Sequence, residues 1–237
     1  MSKTSSVVNK AVHTTVIIPA AGSGTRFGAD RPKQFIPLLG VPIIVRTLQA
    51  LEATDAVQNI VIAASPDFHA PIAELAAEYH LTKITAIVEG GKERQDSIFN
   101  ALQTSISVAS DVILVHDAVR PFVTPSFIQT IINAAWEHGA VIPGLTPKET
   151  IKECTEAGLV RATHERSRLR AIQTPQGFRR EVLVDAYQKA QQHGFLGTDD
   201  ASVVEFAGFP VQVIAGEERN IKITTPLDFA WAEFLLR

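Results

Sequence analysis

Short, almost unbroken apolar runs recur along the chain, alternating with stretches in which apolar residues return every three or four positions. The runs TTVIIPA (14–20), QNIVIAAS (58–65), ITAIVEG (84–90), DVILVHD (111–117) and GAVIPG (139–144) are rich in β-branched residues. Strands apolar on both faces belong in a parallel sheet that is covered on both sides. Between the runs, PIIVRTLQALEA, DFHAPIAELAAEYH, KERQDSIFNALQTSI and PSFIQTIINAAWEHG carry helical spacing. Thr124 and Pro125 supply an N-cap and a first-turn proline for the last of these, and Gly139 a stop. The alternation predicts an α/β fold, a single Rossmann-like, mostly parallel sheet with flanking helices. Ligands of such sheets bind beyond the carboxyl ends of the strands. That rule singles out the loop after Pro19 and the segment after Val115.

The pattern changes near residue 146. PKETIKECTEAGLVRATHERSRLRAIQTPQGF is weakly apolar, alternates over short stretches and has Gly158 at a turn. It reads as a β-hairpin excursion, an arm protruding from the domain over about 146–172. Such an arm is marginal alone, so pairing with a second subunit is expected. Helical pattern resumes over 179–193 and 198–207, where GTDDASVVE reads as a capped helix start. A strand FPVQVIAG follows, then a short strand carrying Lys222, then a helix started by Thr225 and Pro226. One domain is expected over 13–237, with 1–12 a flexible N-terminal segment and no internal repeat.

Composition narrows the classes. With 237 residues, 46% of them hydrophobic, the chain can bury one large core. A net charge of −3 gives no global reason to expect nucleic acid or an anionic membrane as partner. Six arginines lie between residues 161 and 180, but Phe178 is the one aromatic there, which argues against a base-stacking surface. Arg161, Arg168, Arg179 and Arg180 read as a solvated face. The lone Cys154 excludes an intramolecular disulfide or a cysteine metal cluster, and none of the seven histidines forms H-x-x-x-H. The first residues lack the apolar stretch of a signal peptide, and no run reaches membrane-spanning length. A cytoplasmic address is expected.

The candidate chemistry starts in VIIPAAGSGTRFGADRPKQF (16–35). Bare glycine backbone can close on a phosphate. The P-loop pattern is absent, and the dinucleotide fingerprint fails because Phe27 stands where its third glycine belongs. Arg26 and Lys33 flank the glycines, and Pro32 stiffens the approach to Lys33. Two cations beside bare backbone make a clamp for a triphosphate. In VILVHDAVRPF, Asp117 sits where a strand emerges, with Arg120 three residues on. It could cap a turn and pair with Arg120, or it could meet a ribose or Mg²⁺; such an ion keeps waters and phosphate oxygens as its main ligands. Lys222, flanked by apolar residues, is costly to face inward without an anion.

PAAGSGTR, RPKQF, GGKERQDS, HDAVRPF, QTPQGF, TDDAS and NIKITTPLD, taken in order, resemble the 2-C-methyl-D-erythritol 4-phosphate cytidylyltransferases, from about residue 12 onward. These are nucleotidyltransferases of glycosyltransferase-A-like fold. The resemblance implies transfer of CMP from CTP to a small polyol phosphate with release of pyrophosphate, in non-mevalonate isoprenoid synthesis. It implies Mg²⁺ as cofactor and a homodimer joined through the arm. By the same resemblance Pro19, Ala20, Ala21, Gly22, Gly24, Gly91, Ser97, Asp117 and Ala118 would hold the nucleotide. Arg26 and Lys33 would stabilise the transition state at the α-phosphate. Arg166 and Lys222 would act with them by gripping the acceptor's phosphate, with Arg120 and Thr174 also on the acceptor and Asp117 the candidate metal ligand. Arg166 could serve a neighbour's site. Lys92 stands where some relatives carry an acid, which puts a side-chain contact to the base in doubt. Ribitol-5-phosphate cytidylyltransferase resembles the same blocks and is the alternative.

Overall fold

The computed structural model describes residues 12–22 and 32–237. Its centre is one sheet. Strands β1 (Thr14–Pro19), β4 (Asn59–Ala64), β5 (Ile84–Glu89) and β6 (Val112–Val115) run parallel, in the spatial order β5-β4-β1-β6. Short strands β2 (Pro37–Leu38) and β3 (Val41–Pro42) form a separate two-stranded hairpin ahead of α1 (Ile43–Glu52). Helices α2 (His69–Glu78), α3 (Arg94–Leu102), α4 (Ser105–Val108) and α5 (Pro125–His138) fill the crossovers, and β7 (Ala140–Leu145) follows.

Side-chain alternation explains the unbroken apolar runs. Val16 and Ile18 pack with Ile44, Leu48 and Ile128 on one face, while Ile17 packs with Ile98, Leu183 and Tyr187 on the other. Successive residues of a strand point to opposite faces, so a sheet covered twice has no polar side to leave in the sequence. Thr124 Oγ1 accepts the Phe127 N–H at 3.2 Å to start α5, and Gly139 ends it with φ +87°.

The arm is present as strands β8 (Lys152–Cys154) and β9 (Val160–Thr163), antiparallel, with Gly158 at φ +80° in the turn. The chain rejoins the main sheet at Ala171, opposite Leu145. β10 (Ala171–Ile172) pairs with β7, and β11 (Gln176–Arg179) lies antiparallel between β6 and β7 inside the main sheet. QGF is poor in apolar residues because of what it packs against. A Cβ on Gly177 would stand 2.7 Å from the Ile131 side chain of α5. Gln176 is used for its amide, which accepts the Ala201 N–H and donates to Asp199 at the start of the helix that begins at Asp200. The chain finishes with α6 (Arg180–His193), α7 (Asp200–Phe206), β12 (Gln212–Ala215), which is parallel to β7, and α8 (Pro226–Leu235). Lys222 is not on a strand as expected: residues 221–224 have no regular secondary structure. Among the described residues no helix is long and apolar enough to cross a membrane.

Candidate active site

A cleft of about 400 Å³ opens at the carboxyl ends of β1, β5 and β6. Its floor is the turn after β1. Pro19, Ala20, Ala21 and Gly22 line it, and the Ala20 N–H is held by the Ala63 carbonyl at 2.7 Å. Lys33 begins a single 3₁₀ turn, Lys33–Phe35, and also lines the cleft. Two neighbours fix that turn. The buried Gln34 amide donates to the carbonyls of Ala20 at 2.8 Å and Gly22 at 3.3 Å, and Phe35 stacks on Phe68 at 4.7 Å between ring centres. Gln34 was not anticipated from the sequence, although it stands inside RPKQF. Arg26 and Gly24 lie outside the described residues.

A second wall is the loop into α3. Gly90 and Gly91 have no room for a side chain, since a Cβ there would collide with Ala21 and with Asp96 respectively. Gly91 N–H donates to Ser97 Oγ at 3.0 Å, and that hydroxyl donates to the Glu93 carbonyl at 3.1 Å. Ser97 lines the cleft while its hydroxyl is engaged with its own loop, whose backbone it shapes. Lys92, Glu93 and Arg94 also line this wall. Arg94 is the site residue that sequence reading missed. Its Nη2 reaches Asp200 Oδ2 at 2.8 Å, and Tyr187 Oη donates to Asp200 Oδ1 at 2.6 Å. Asp200 is fully buried, so the pair anchors the guanidinium from beneath. Burial by itself would weaken that guanidinium's hold on its proton; Asp200 and Asp117 outweigh it and push its pKa up. Burial first, and then Asp200, raise the Tyr187 phenol well above its ordinary value.

Asp117 stands between the two walls, one residue past the buried His116. Its Oδ2 lies 3.0 Å from Lys222 Nζ and 3.1 Å from Arg120 Nε, and its Oδ1 lies 4.0 Å from Arg94 Nε. Burial alone would push this carboxyl up, but Lys222, Arg120 and Arg94 reverse that and hold it well below the usual carboxylate range. Asp117 is thus a permanent anion at any neutral pH, matched by cations rather than poised as a base.

The expected acceptor residues separate. Lys222 and Asp117 line the cleft, and so does the expected nucleotide contact Ala118. Arg120 is 8% exposed, spanning from Asp117 to the Asn220 carbonyl at 2.8 Å. Thr174 is buried under Asp117, where its Oγ1 accepts the Asp117 N–H at 3.0 Å and faces His116 Nδ1 at 3.0 Å. Arg166 is outside this cleft, exposed on the arm, with its guanidinium on the Lys148 carbonyl. Of the expected solvated arginines, Arg161 pairs with Glu153, while Arg179 turns onto the Trp136 carbonyl and ring.

The sequence profile of the 2-C-methyl-D-erythritol 4-phosphate cytidylyltransferases matches residues 14–237. The chain belongs to that family. A Bacillus thuringiensis relative so named is 46% identical over 222 residues, covering 94% of this chain and 97% of the relative. One from Symbiobacterium thermophilum is 47% identical over 95% of this chain and 93% of its own length. The crystal structure of 4-diphosphocytidyl-2C-methyl-D-erythritol synthase from Anaerococcus prevotii superposes with a TM-score of 0.83 at 30% identity, covering 96% of this chain and all of the other. A Thermus thermophilus 2-C-methyl-D-erythritol 4-phosphate cytidylyltransferase gives 0.76 at 32% identity, covering 94% and 98%. The α/β fold of this family member is that of its solved relatives. The ribitol-5-phosphate alternative is not favoured by these matches.

Proposed function

We propose that this cytidylyltransferase moves CMP from CTP to 2-C-methyl-D-erythritol 4-phosphate, giving 4-diphosphocytidyl-2-C-methyl-D-erythritol and pyrophosphate. A phosphate oxygen of the acceptor attacks the α-phosphorus of CTP, and the bond from that phosphorus to the bridging oxygen of pyrophosphate breaks. The observation that carries the reading is that Lys33 and Lys222 line one cleft whose far wall is the closed backbone at Gly91. That arrangement offers cations to two phosphate groups and a shaped slot to a flat base. The nucleophile is already an anion, so no strong base is required, and catalysis consists of positioning and charge neutralisation. In this reading Lys33, with Arg26, takes up charge on the α-phosphate; Lys222 holds the acceptor's phosphate; Asp117 keeps Lys222 aimed.

The donor set does not suit a protein-held metal. Asp117 Oδ2 already faces two cations, and no cluster of three acidic, histidine or cysteine ligands occurs among the described residues. Mg²⁺ is therefore assigned to the triphosphate itself, with no cleft residue as its ligand. Arg166 is assigned to a partner subunit's cleft, because its arm carries it away from its own, and this makes the working unit a homodimer. The exposed thiol of Cys154 suits the reducing cytoplasm. Assays with CTP and each polyol phosphate side by side, following pyrophosphate, test the reading. Preference for ribitol 5-phosphate would overturn it.

A further inference from the structure

The position of Lys222 needs an explanation that secondary structure does not supply. It lies in a segment, 216–224, that joins no strand beyond the single bond from Gly216 N–H to the Gly144 carbonyl. Beyond Lys222 the segment is held by Ile223, fully buried, with its N–H on the Val119 carbonyl at 3.0 Å; before Lys222 two side-chain amides hold it. Gln173 brackets Glu217, its Oε1 accepting that N–H at 3.1 Å and its Nε2 donating to the Glu217 carbonyl at 2.9 Å. Asn220 is fully buried two residues before Lys222. Its Nδ2 donates to the Thr174 carbonyl at 2.8 Å, and its own carbonyl accepts Arg120 Nη1 at 2.8 Å.

These contacts join the acceptor side of the cleft into one buried polar unit. Thr174 offers its carbonyl to Asn220 and its hydroxyl to the Asp117 N–H, and Arg120 ties the Asn220 carbonyl to the Asp117 carboxylate. Lys222 then closes the ring on Asp117 at 3.0 Å. Asn220 Oδ1, by contrast, is buried with no partner among the described residues. A buried amide with an idle oxygen is costly, so the residue's presence is accounted for by its donor.

We propose that Asn220 is the positioning residue of the acceptor subsite: its side chain fixes the loop that presents Lys222, and in doing so places the main-chain carbonyl that holds Arg120 against the carboxylate at which Lys222 is aimed. Asn220 touches no substrate. The proposal rests on the assignment of Lys222 to the acceptor's phosphate. Among the described residues the nucleotide walls make no direct hydrogen bond to Asn220, so its loss should be felt on one substrate only.

The test is Asn220→Ala, with Asn220→Ser as a milder form should alanine fail to fold. Initial rates are measured against each substrate, and hydrogen–deuterium exchange is measured without substrates. Misplacement of a positioned group by about an ångström costs on the order of a hundredfold in rate. KM for the acceptor, or kcat at saturation, should therefore worsen about ten- to a hundredfold, while KM for CTP stays within about twofold. Exchange should quicken in 216–224 and stay as in wild type across 84–102. Equal damage to both KM values, or unchanged exchange in 216–224, would overturn the proposal. If wild type does not turn over this acceptor, it is the assignment of function that fails, since the exchange result stands without any acceptor.

Discussion

Replacing Tyr187 by phenylalanine removes one oxygen from a place water does not reach. That oxygen donates at 2.6 Å to Asp200, whose carboxylate is fully buried and has the Arg94 guanidinium as its other strong partner. A hydrogen bond to a charged group is worth about 1.5–3 kcal/mol, and an acceptor left short of a partner loses at the upper end. Phenylalanine keeps the ring and its packing, so little else changes. At about 2–4 °C per kcal/mol for a domain of this size, a loss of about 3 kcal/mol should lower Tm by about 6–12 °C. Calorimetry at neutral pH measures it. The cause is checked by repeating the substitution on an Asp200→Asn background, where the anion is gone and the effect should shrink to less than about half, because contacting residues are not additive. The phenol's pKa is raised in the folded protein, so its stabilising contribution is complete below about pH 10 and fades as pH rises further. The gap between wild type and variant should therefore narrow in alkali. A Tm change under about 1 °C, or an equal change on both backgrounds, would refute this reasoning.

Other consequences are as direct. Lys33→Ala should fold normally and lose about 10²–10³ in kcat; near-normal turnover would remove Lys33 from the reaction. Burial holds the His116 imidazole neutral, with its pKa lowered to about 4 from 6.5. Between those pH values the unfolded chain binds a proton that the folded chain refuses, so stability should drop by about 1.4 kcal/mol per pH unit as pH falls through that window. Urea unfolding should show this extra slope in wild type and not in His116→Phe; parallel slopes would contradict it. Gly177→Ala pushes a methyl into Ile131, Ala135 and Leu114, and should cost about 1–3 kcal/mol by overpacking, read from the urea midpoint.

The parallel strands are legible because both of their faces are apolar, and the cleft because its two walls are local motifs at strand ends. β11 is hidden for the opposite reason: Gly177 leaves room for α5 and Gln176 caps α7, so the buried Phe178 is its one apolar residue and makes no pattern. Arg94 looked like one charge in a polar first turn, and its partner lies 106 positions away. Lys222 lies on no strand and its side chain is 42% exposed, so the cost of burying an ammonium is not what places it; its ion pair with Asp117 is. Side-chain amides help hold its loop, and their partners are 44 and 46 residues distant.

The feet of the arm have a meaning of their own. The chain leaves the sheet at Leu145 and comes back at Ala171, and those two residues face each other in the same antiparallel register. Directly opposed residues in such a ladder stand only about 5 Å apart, so everything between them is closed on itself like a plug-in cassette. Its length and sequence can drift without stretching the sheet beneath. A lineage can thus remodel the arm while the cleft stays where it was.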